Sequence, residues 1–283
     1  MIDRYAVFGH PISHSKSPRI HALFAAQTGQ VMSYEALDVP PERFVAEVEA
    51  FLSTGGSGLN CTVPLKEQAF ALAASLSDRA RRAGAVNTLA VQADGSLLGD
   101  NTDGVGLLRD LTTNLNLTVA GKSLLILGAG GAVRGILQPL LAERPRRVVI
   151  ANLTVAKAER LVDEFADLAA LEACNYPRLS WSGFDLILNA TAASLSGELP
   201  PLADELLNPG GACYDLAYGS TPTAFVRWGQ SIGAALSVDG IGMLVEQAAE
   251  AFGLWRGVRP ETRSVIRSLN EERGIVSSAT GDR

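Results

Sequence analysis

Short apolar runs alternate with amphipathic stretches along most of this chain. Tyr5-Ala6-Val7-Phe8 reads as a buried strand closed by Gly9. Ser17-Pro18 reads as an N-cap followed by proline at the first helical position. Ile20, Leu23 and Phe24 then recur at helical spacing until Thr28-Gly29. A strand near Met32 to Leu37, a helix from Glu42 to Leu52 and a short strand over Gly58 to Val63 come next. Pro64 ends that strand and opens a helix through Lys66 and Phe70. This alternation predicts a mostly parallel sheet with right-handed crossovers.

The rhythm restarts near Lys122. Ser123 to Leu127 is mostly apolar, as a strand covered on both faces requires. A glycine-rich turn and a helix follow, and strands recur at Val148-Val149-Ile150, Leu186-Ile187-Leu188, Ala212-Cys213-Tyr214 and Leu236-Ser237-Val238. That is the rhythm of a Rossmann domain. Met243 to Trp255 is a predicted helix with Leu244, Ala248 and Phe252 on one face, and Ser277 to Arg283 reads as a disordered tail. The fold class is α/β with two domains, a number that suits 283 residues.

Composition narrows the function. The chain is 47% hydrophobic with a net charge of -6, and no stripe of Lys and Arg invites nucleic acid. The first residues lack a signal-peptide pattern and no apolar run is long enough to span a bilayer, so no membrane partner is expected. Cys61, Cys174 and Cys213 are odd in number and widely spaced, which points to reduced thiols in the cytoplasm. His10, His14 and His21 lack acidic or thiol neighbours at ligand spacing, so no metal site is expected.

Five segments carry candidate chemistry. In Gly128-Ala129-Gly130-Gly131-Ala132 the missing side chains let a pyrophosphate approach backbone N–H groups at a helix start. A strict G-x-G-x-x-G would place its third glycine at Val133. About 20 residues on, NAD enzymes usually carry a carboxylate for the ribose hydroxyls. Here Asn152, Leu153, Thr154 and Lys157 offer none, so nothing repels a 2′-phosphate, and Arg134 can add a charge. Ser15-Lys16-Ser17-Pro18 suits a carboxylate at a helix N-terminus, or plain helix capping. Asn60, Thr62 and Lys66 lie where a strand gives way to a helix, the usual ligand edge of an open α/β sheet. Gly99 to Gly104 taken alone is a polar turn.

Together these segments resemble the shikimate dehydrogenase family. The resemblance runs from Tyr5 to Trp255 and includes Gly84-Ala85-Val86-Asn87-Thr88, Asn189-Ala190-Thr191, Tyr214-Asp215 and Asp239 to Val245. It implies a split substrate domain, residues 1–103 plus 240–283, around a Rossmann domain for NADP at 104–239. It implies Lys66 and Asp103 as the catalytic pair. Ser15 and Ser17, helped by Tyr218, would hold the substrate carboxylate, and Asn60, Thr62, Asn87 and Gln247 would contact ring hydroxyls and carboxylate. Gly128 to Ala132, Asn152, Thr154, Lys157, Thr191, Leu216 and Gly240 would contact the cofactor. The implied reaction is the reversible NADPH-dependent reduction of 3-dehydroshikimate to shikimate, with NAD a weaker cofactor, by a monomer or homodimer. Four departures stand out: Leu153 replaces an arginine, Cys61 a valine, Ala192-Ala193-Ser194 a more serine-rich turn, and Leu216-Ala217 a methionine and a larger apolar residue. Two other readings stay open: a quinate/shikimate dehydrogenase with relaxed cofactor use, and a non-catalytic dinucleotide sensor.

Overall fold

The computed structural model describes residues 2–179 and 183–275. The expected tail over Ser277 to Arg283 lies outside them. The chain divides into two compact units, Met1–Gly106 with Val245–Val265, and Leu107–Leu244 with Ile266–Arg283.

In the first unit the elements run β1 (Asp3–Gly9), α1 (Ser17–Thr28), β2 (Met32–Asp38), α2 (Phe44–Ser53), β3 (Gly56–Cys61), α3 (Lys66–Leu72), β4 (Ser75–Leu76), α4 (Asp78–Ala83), β5 (Thr88–Val91), β6 (Leu97–Asp100) and the start of α5 (Asp103–Arg109). The sheet order is β2-β1-β3-β5-β6-β4. The sheet is mostly parallel, as expected: β1 pairs parallel with β2 and β3, and β4 with β6, with one antiparallel strand, β5, set among them. β3 pairs antiparallel with β5, and β5 with β6, the latter because Asp94-Gly95-Ser96 turns the chain straight back. Gly95 takes φ +83°, open to glycine at no steric cost, and Asp94 accepts from the Ser96 amide and hydroxyl. Phe8, Phe44, Leu59, Leu65, Val86 and Leu89 lie in this unit's core.

In the second unit α5 runs into a π-helical turn, Asp110–Asn114, and then come β7 (Ser123–Leu127), α6 (Gly131–Ala142), β8 (Arg147–Ala151), α7 (Val155–Glu164), β9 (Leu171–Cys174), β10 (Phe184–Asn189), β11 (Leu207–Asp215), α8 (Ala224–Ser231) and β12 (Leu236–Val238), leading into α9 (Ile241–Arg256). Every pairing is parallel and the order is β12-β11-β10-β7-β8-β9. This is the doubly wound order, in which the order of the strands, not their direction, reverses between β7 and β10. Leu124 and Ile126 of β7 enter one core, Leu125 and Leu127 the other, so the strand is apolar throughout. Val133, where a third glycine was looked for, is fully buried in the first of these cores.

The unit boundaries differ from those expected, falling after Gly106 and Leu244 and returning residue 266 onward to the second unit. The cause is visible at the end of α10 (Arg263–Glu272), a helix absent from the sequence reading. The nearly buried Arg273 forks onto both oxygens of Asp239 at 2.6 and 3.2 Å and donates to the Gly219 carbonyl at 2.9 Å. The first turn of α9 is likewise tied down. Met243 N donates to Tyr214 Oη at 3.2 Å, and Tyr214 Oη donates to Asp110 at 2.7 Å.

Candidate active site

Strand register brings the polar residues of the first unit together. Asn60 stands opposite Thr88 across β3 and β5, and Thr88 opposite Asp100 across β5 and β6. Residues about 40 apart in sequence thus form one row at one end of the sheet. Asp100 anchors the row. Burial works against its charged form, but the Arg79 fork and the Ser77 hydroxyl outweigh this and hold its carboxyl below the usual range. Its Oδ1 also accepts from the Asn101 amide at 2.7 Å, and Asn101 Oδ1 accepts from the Asp103 amide at 3.2 Å.

At the head of the row Lys66, the first residue of α3, donates from Nζ to Asp103 Oδ2 at 2.5 Å. Asp103 Oδ1 accepts from Asn87 Nδ2 at 2.7 Å. Asn87 Nδ2 also reaches Thr102 Oγ1 at 3.0 Å and Gln247 Oε1 at 3.3 Å. The lysine side chain is about one quarter exposed, the aspartate 11%. Such a cation can meet an incoming oxygen while the carboxylate fixes its direction. Lys66, Asp103, Asn87, Asn60 and Gln247 are therefore one connected cluster. Thr102, fully buried and bonded to both Asn87 and Gln247, belongs to it, although in the sequence it stands in what is, taken alone, a polar turn. Thr62 follows β3, its amide held by the Phe8 carbonyl at 2.9 Å.

Ser17 is corrected from the N-cap to the first residue of α1; Lys16 takes the cap position without a side-chain cap bond. Ser15 does the capping instead, its Oγ accepting from the Ser17 amide at 3.3 Å. The buried Ser17 hydroxyl meets that of Tyr34. On α1 as well, His21 is fully buried, and burial pushes its imidazole down to about 3 against a weaker pull from Asn60. Unfolding returns it to about 6.5, so below that pH the unfolded chain takes a proton that the folded chain refuses. Stability is complete above pH 6.5 and falls toward pH 3, by at most ~1.4 kcal/mol per pH unit from this group. Melting temperatures between pH 7 and 5 should decline less steeply in His21→Phe than in the parent. Equal slopes would place the acid sensitivity elsewhere.

The second unit holds the other expected residues. Gly128 ends β7 at the switch point with φ +104°, and a Cβ there would stand 3.0 Å from the Ala190 carbonyl. A Cβ added at Gly130 or Gly131 would have no protein atom within 4 Å, so the backbone at the start of α6 is open to approach. Thr191 follows β10, its amide and hydroxyl both donating to Asn189 Oδ1. Buried Asp215 joins this loop to the next. It accepts from Ser194 at 2.5 Å, Thr223 at 2.6 Å, Asn189 at 3.1 Å and the Ala217 amide at 3.1 Å. Burial raises its pKa, and these donors oppose the rise. Gly240 packs on the Leu216 backbone, where a Cβ would come within 2.3 Å of the carbonyl oxygen. Tyr218 feels the charges of Arg273 and Asp239, and burial holds its phenol protonated.

Three family models match in order along the chain: "Shikimate dehydrogenase substrate binding domain" over residues 7–89, "Shikimate / quinate 5-dehydrogenase" over 110–196 and "Shikimate 5'-dehydrogenase C-terminal domain" over 240–269. A "Shikimate dehydrogenase (NADP(+))" of Methylococcus capsulatus is 69% identical over 96% of this chain and 97% of its own. The chain belongs to the shikimate dehydrogenase family. Among solved structures, an Ael1 enzyme from Pseudomonas putida is 48% identical with a TM-score of 0.89, covering 94% of this chain and 98% of its own. Shikimate 5-dehydrogenase from Thermus thermophilus in complex with NADP(H) and shikimate is 34% identical with a TM-score of 0.85, covering 96% and 100%.

Against the family pattern, Leu153 is 79% exposed in the turn after β8. The Asn152 side chain donates across that turn to the Thr154 carbonyl at 2.9 Å, and Thr154 takes the N-cap position of α7 without a side-chain cap bond. Lys157 is exposed on the first turn of α7. Arg134 bonds the Glu164 carboxylate at the end of α7 through both of its terminal nitrogens. No group of three or more His, Cys, Asp and Glu among the described residues is placed to hold a metal ion. Among the described residues no helix is long and apolar enough to cross a membrane.

Proposed function

We propose that this chain catalyses the reversible NADPH-dependent reduction of 3-dehydroshikimate to shikimate, a step toward chorismate and the aromatic amino acids. It is an NADP-dependent oxidoreductase acting on a CH–OH group. The observation that carries the reading is the Lys66–Asp103 pair, held at 2.5 Å among Asn87, Thr102 and Gln247 in a chain 69% identical to a named NADP-dependent relative. Residues 1–103 with 240–283 serve the substrate and 104–239 the cofactor.

The open backbone at Gly130 and Gly131, with Gly128, Ala129 and Ala132, fits a pyrophosphate at the start of α6. Asn152, Thr154 and Lys157 serve the adenosine phosphate, Thr191 the nucleotide, and Leu216 and Gly240 the nicotinamide side. Bound there, the cofactor supplies the hydride. The chain's own part is to bind the ring and manage one proton. As negative charge grows on the ketone oxygen, the Lys66 ammonium stabilises it and gives up its proton there, while Asp103 keeps the ammonium aimed. Asn60, Thr62, Asn87 and Gln247 hold ring hydroxyls, and Ser15, Ser17 and Tyr218 the carboxylate. Because the Ser15 oxygen already accepts from the Ser17 amide, its proton stays available for an anion.

The three buried, unpaired cysteines suit a reducing compartment, and we place the enzyme in the cytoplasm as a monomer or homodimer. The deciding assay is oxidation of shikimate with NADP and NAD in parallel, repeated with quinate. NADP-dependent turnover of shikimate is the expected result, and no turnover with either cofactor would sink the reading. Exposed Leu153 favours a second reading, relaxed use of NAD, which the same assay grades. Ser15→Ala and Ser17→Ala should each weaken shikimate binding by ~1.5–3 kcal/mol, the worth of a hydrogen bond to a charged group, and leave NADP binding alone. Calorimetric affinities equal to the parent's in both variants would reduce these serines to folding roles.

A further inference from the structure

We propose that Tyr34 is a positioning residue for the Lys66–Asp103 pair, acting through a one-way chain of hydrogen bonds that runs from its hydroxyl to the Asp103 carboxylate. The proposal rests on the dehydrogenase reading above. Tyr34 Oη donates to Asn60 Oδ1 at 2.7 Å. Asn60 Nδ2 donates to Thr88 Oγ1 at 3.0 Å, and Thr88 Oγ1 to Asn87 Oδ1 at 2.9 Å. Asn87 Nδ2 completes the run on Asp103 Oδ1 at 2.7 Å, with Lys66 on the other carboxylate oxygen.

The direction of each link follows from what its neighbours can do. A carboxylate facing an ammonium only accepts, so Asn87 turns its amide nitrogen toward Asp103. Its carbonyl oxygen then faces the Thr102 amide, at 2.9 Å, and Thr88, so Thr88 must donate. Thr88 is left to accept from Asn60, whose amide nitrogen also reaches the Asn87 backbone carbonyl at 3.1 Å, another pure acceptor. The Asn60 carbonyl is thereby turned to Tyr34, and the phenol must donate. Reversing any one link sets two acceptors face to face. Bonds aligned in one sense polarise each other in a buried setting and favour negative charge at the far end.

The head of the chain is clamped by an aromatic ring. His21 lies flat on Tyr34, centroids 4.1 Å apart and planes 7° off parallel. Neither of its buried ring nitrogens makes a well-formed hydrogen bond among the described residues, and Asn60 exerts only a weak pull on it. Trp255 and Phe252 pack around it, and burial keeps the imidazole neutral and the phenol protonated.

Tyr34→Phe keeps the ring and its stacking and removes only the donor, leaving a buried carbonyl without one. The expected result is a ~5–30-fold fall in kcat for shikimate oxidation, with KM for NADP unchanged and a melting temperature within a few degrees of the parent. Thr88→Val cuts the same chain further along and should cost kcat a similar factor. Thr88→Ser, which retains the hydroxyl, should recover it. The double variant Tyr34→Phe, Thr88→Val should stay within about two-fold of the worse single, since a chain already cut is not cut again. The proposal is overturned if Tyr34→Phe turns over within about two-fold of the parent, if the single losses multiply in the double variant, or if serine at 88 does no better than valine. An inactive parent overturns the dehydrogenase reading and this proposal with it. An active parent with an indifferent Tyr34→Phe overturns this proposal alone.

Discussion

Lys66→Ala should lower turnover by ~10²–10⁴-fold while shikimate still binds, the loss expected when a positioned acid–base group is removed. Lys66 meets the Asp103 carboxylate at 2.5 Å, and Asn87 holds the other carboxylate oxygen at 2.7 Å. Stripping the ammonium leaves the ring ligands Asn60, Asn87 and Gln247 where they are, so binding should change far less than kcat. The variant also leaves Asp103, 11% exposed, without its cation, and some stability will go with it. A melting curve therefore accompanies the kinetics, so that unfolding is not counted as lost chemistry. Calorimetric binding of shikimate and steady-state kcat together decide the matter. Turnover near the parent value, or a loss confined to KM, would remove Lys66 from the proton's path.

Which parts of this picture were legible in the sequence depends on where each residue's partner lies along the chain. The strands of the second unit are covered on both faces. Leu124, Leu125, Ile126 and Leu127 are all apolar because alternate residues enter different cores, and such a run is readable without a structure. β4, two residues long, and the β5–β6 hairpin carry too little pattern to stand out, although Asp94-Gly95 between apolar runs was a usable hairpin signal. α10 escaped because Val265 and Leu269 are its only buried apolar side chains in a polar sequence. Lys66 and Asp103 were legible as members of motifs, but their meeting depends on the cross-strand register of Asn60, Thr88 and Asp100. Tyr34 gave no sign, since a tyrosine in a strand is ordinary β composition. Arg134 is the opposite case: its charge is visible in the sequence and its partner Glu164, 30 residues on, is not.

That ion pair bears on what Leu153 means for the cofactor. With Arg134 engaged by Glu164, the groups left to meet a 2′-phosphate are the Lys157 charge and the Thr154 hydroxyl. No carboxylate occupies residues 152–154 to repel that phosphate, so a preference for NADP over NAD should persist. It should be weaker than in family members with arginine at this position, because one charge-assisted contact is missing. Leu153→Arg restores that contact at a side chain already 79% exposed, so the replacement buries no charge. Arginine, not lysine, is the informative choice, since its planar fork can bond two phosphate oxygens and stack on the adenine. The gain in kcat/KM for NADP should be worth ~1.5–3 kcal/mol, roughly one to two powers of ten, with little change for NAD. Glu164 adds a second arm. If Arg134 is silent because of its ion pair, Glu164→Gln should strengthen NADP use slightly, and less than Leu153→Arg does. A parent that already prefers NAD, or an arginine that improves both cofactors alike, would mean that residue 153 does not face the 2′-phosphate.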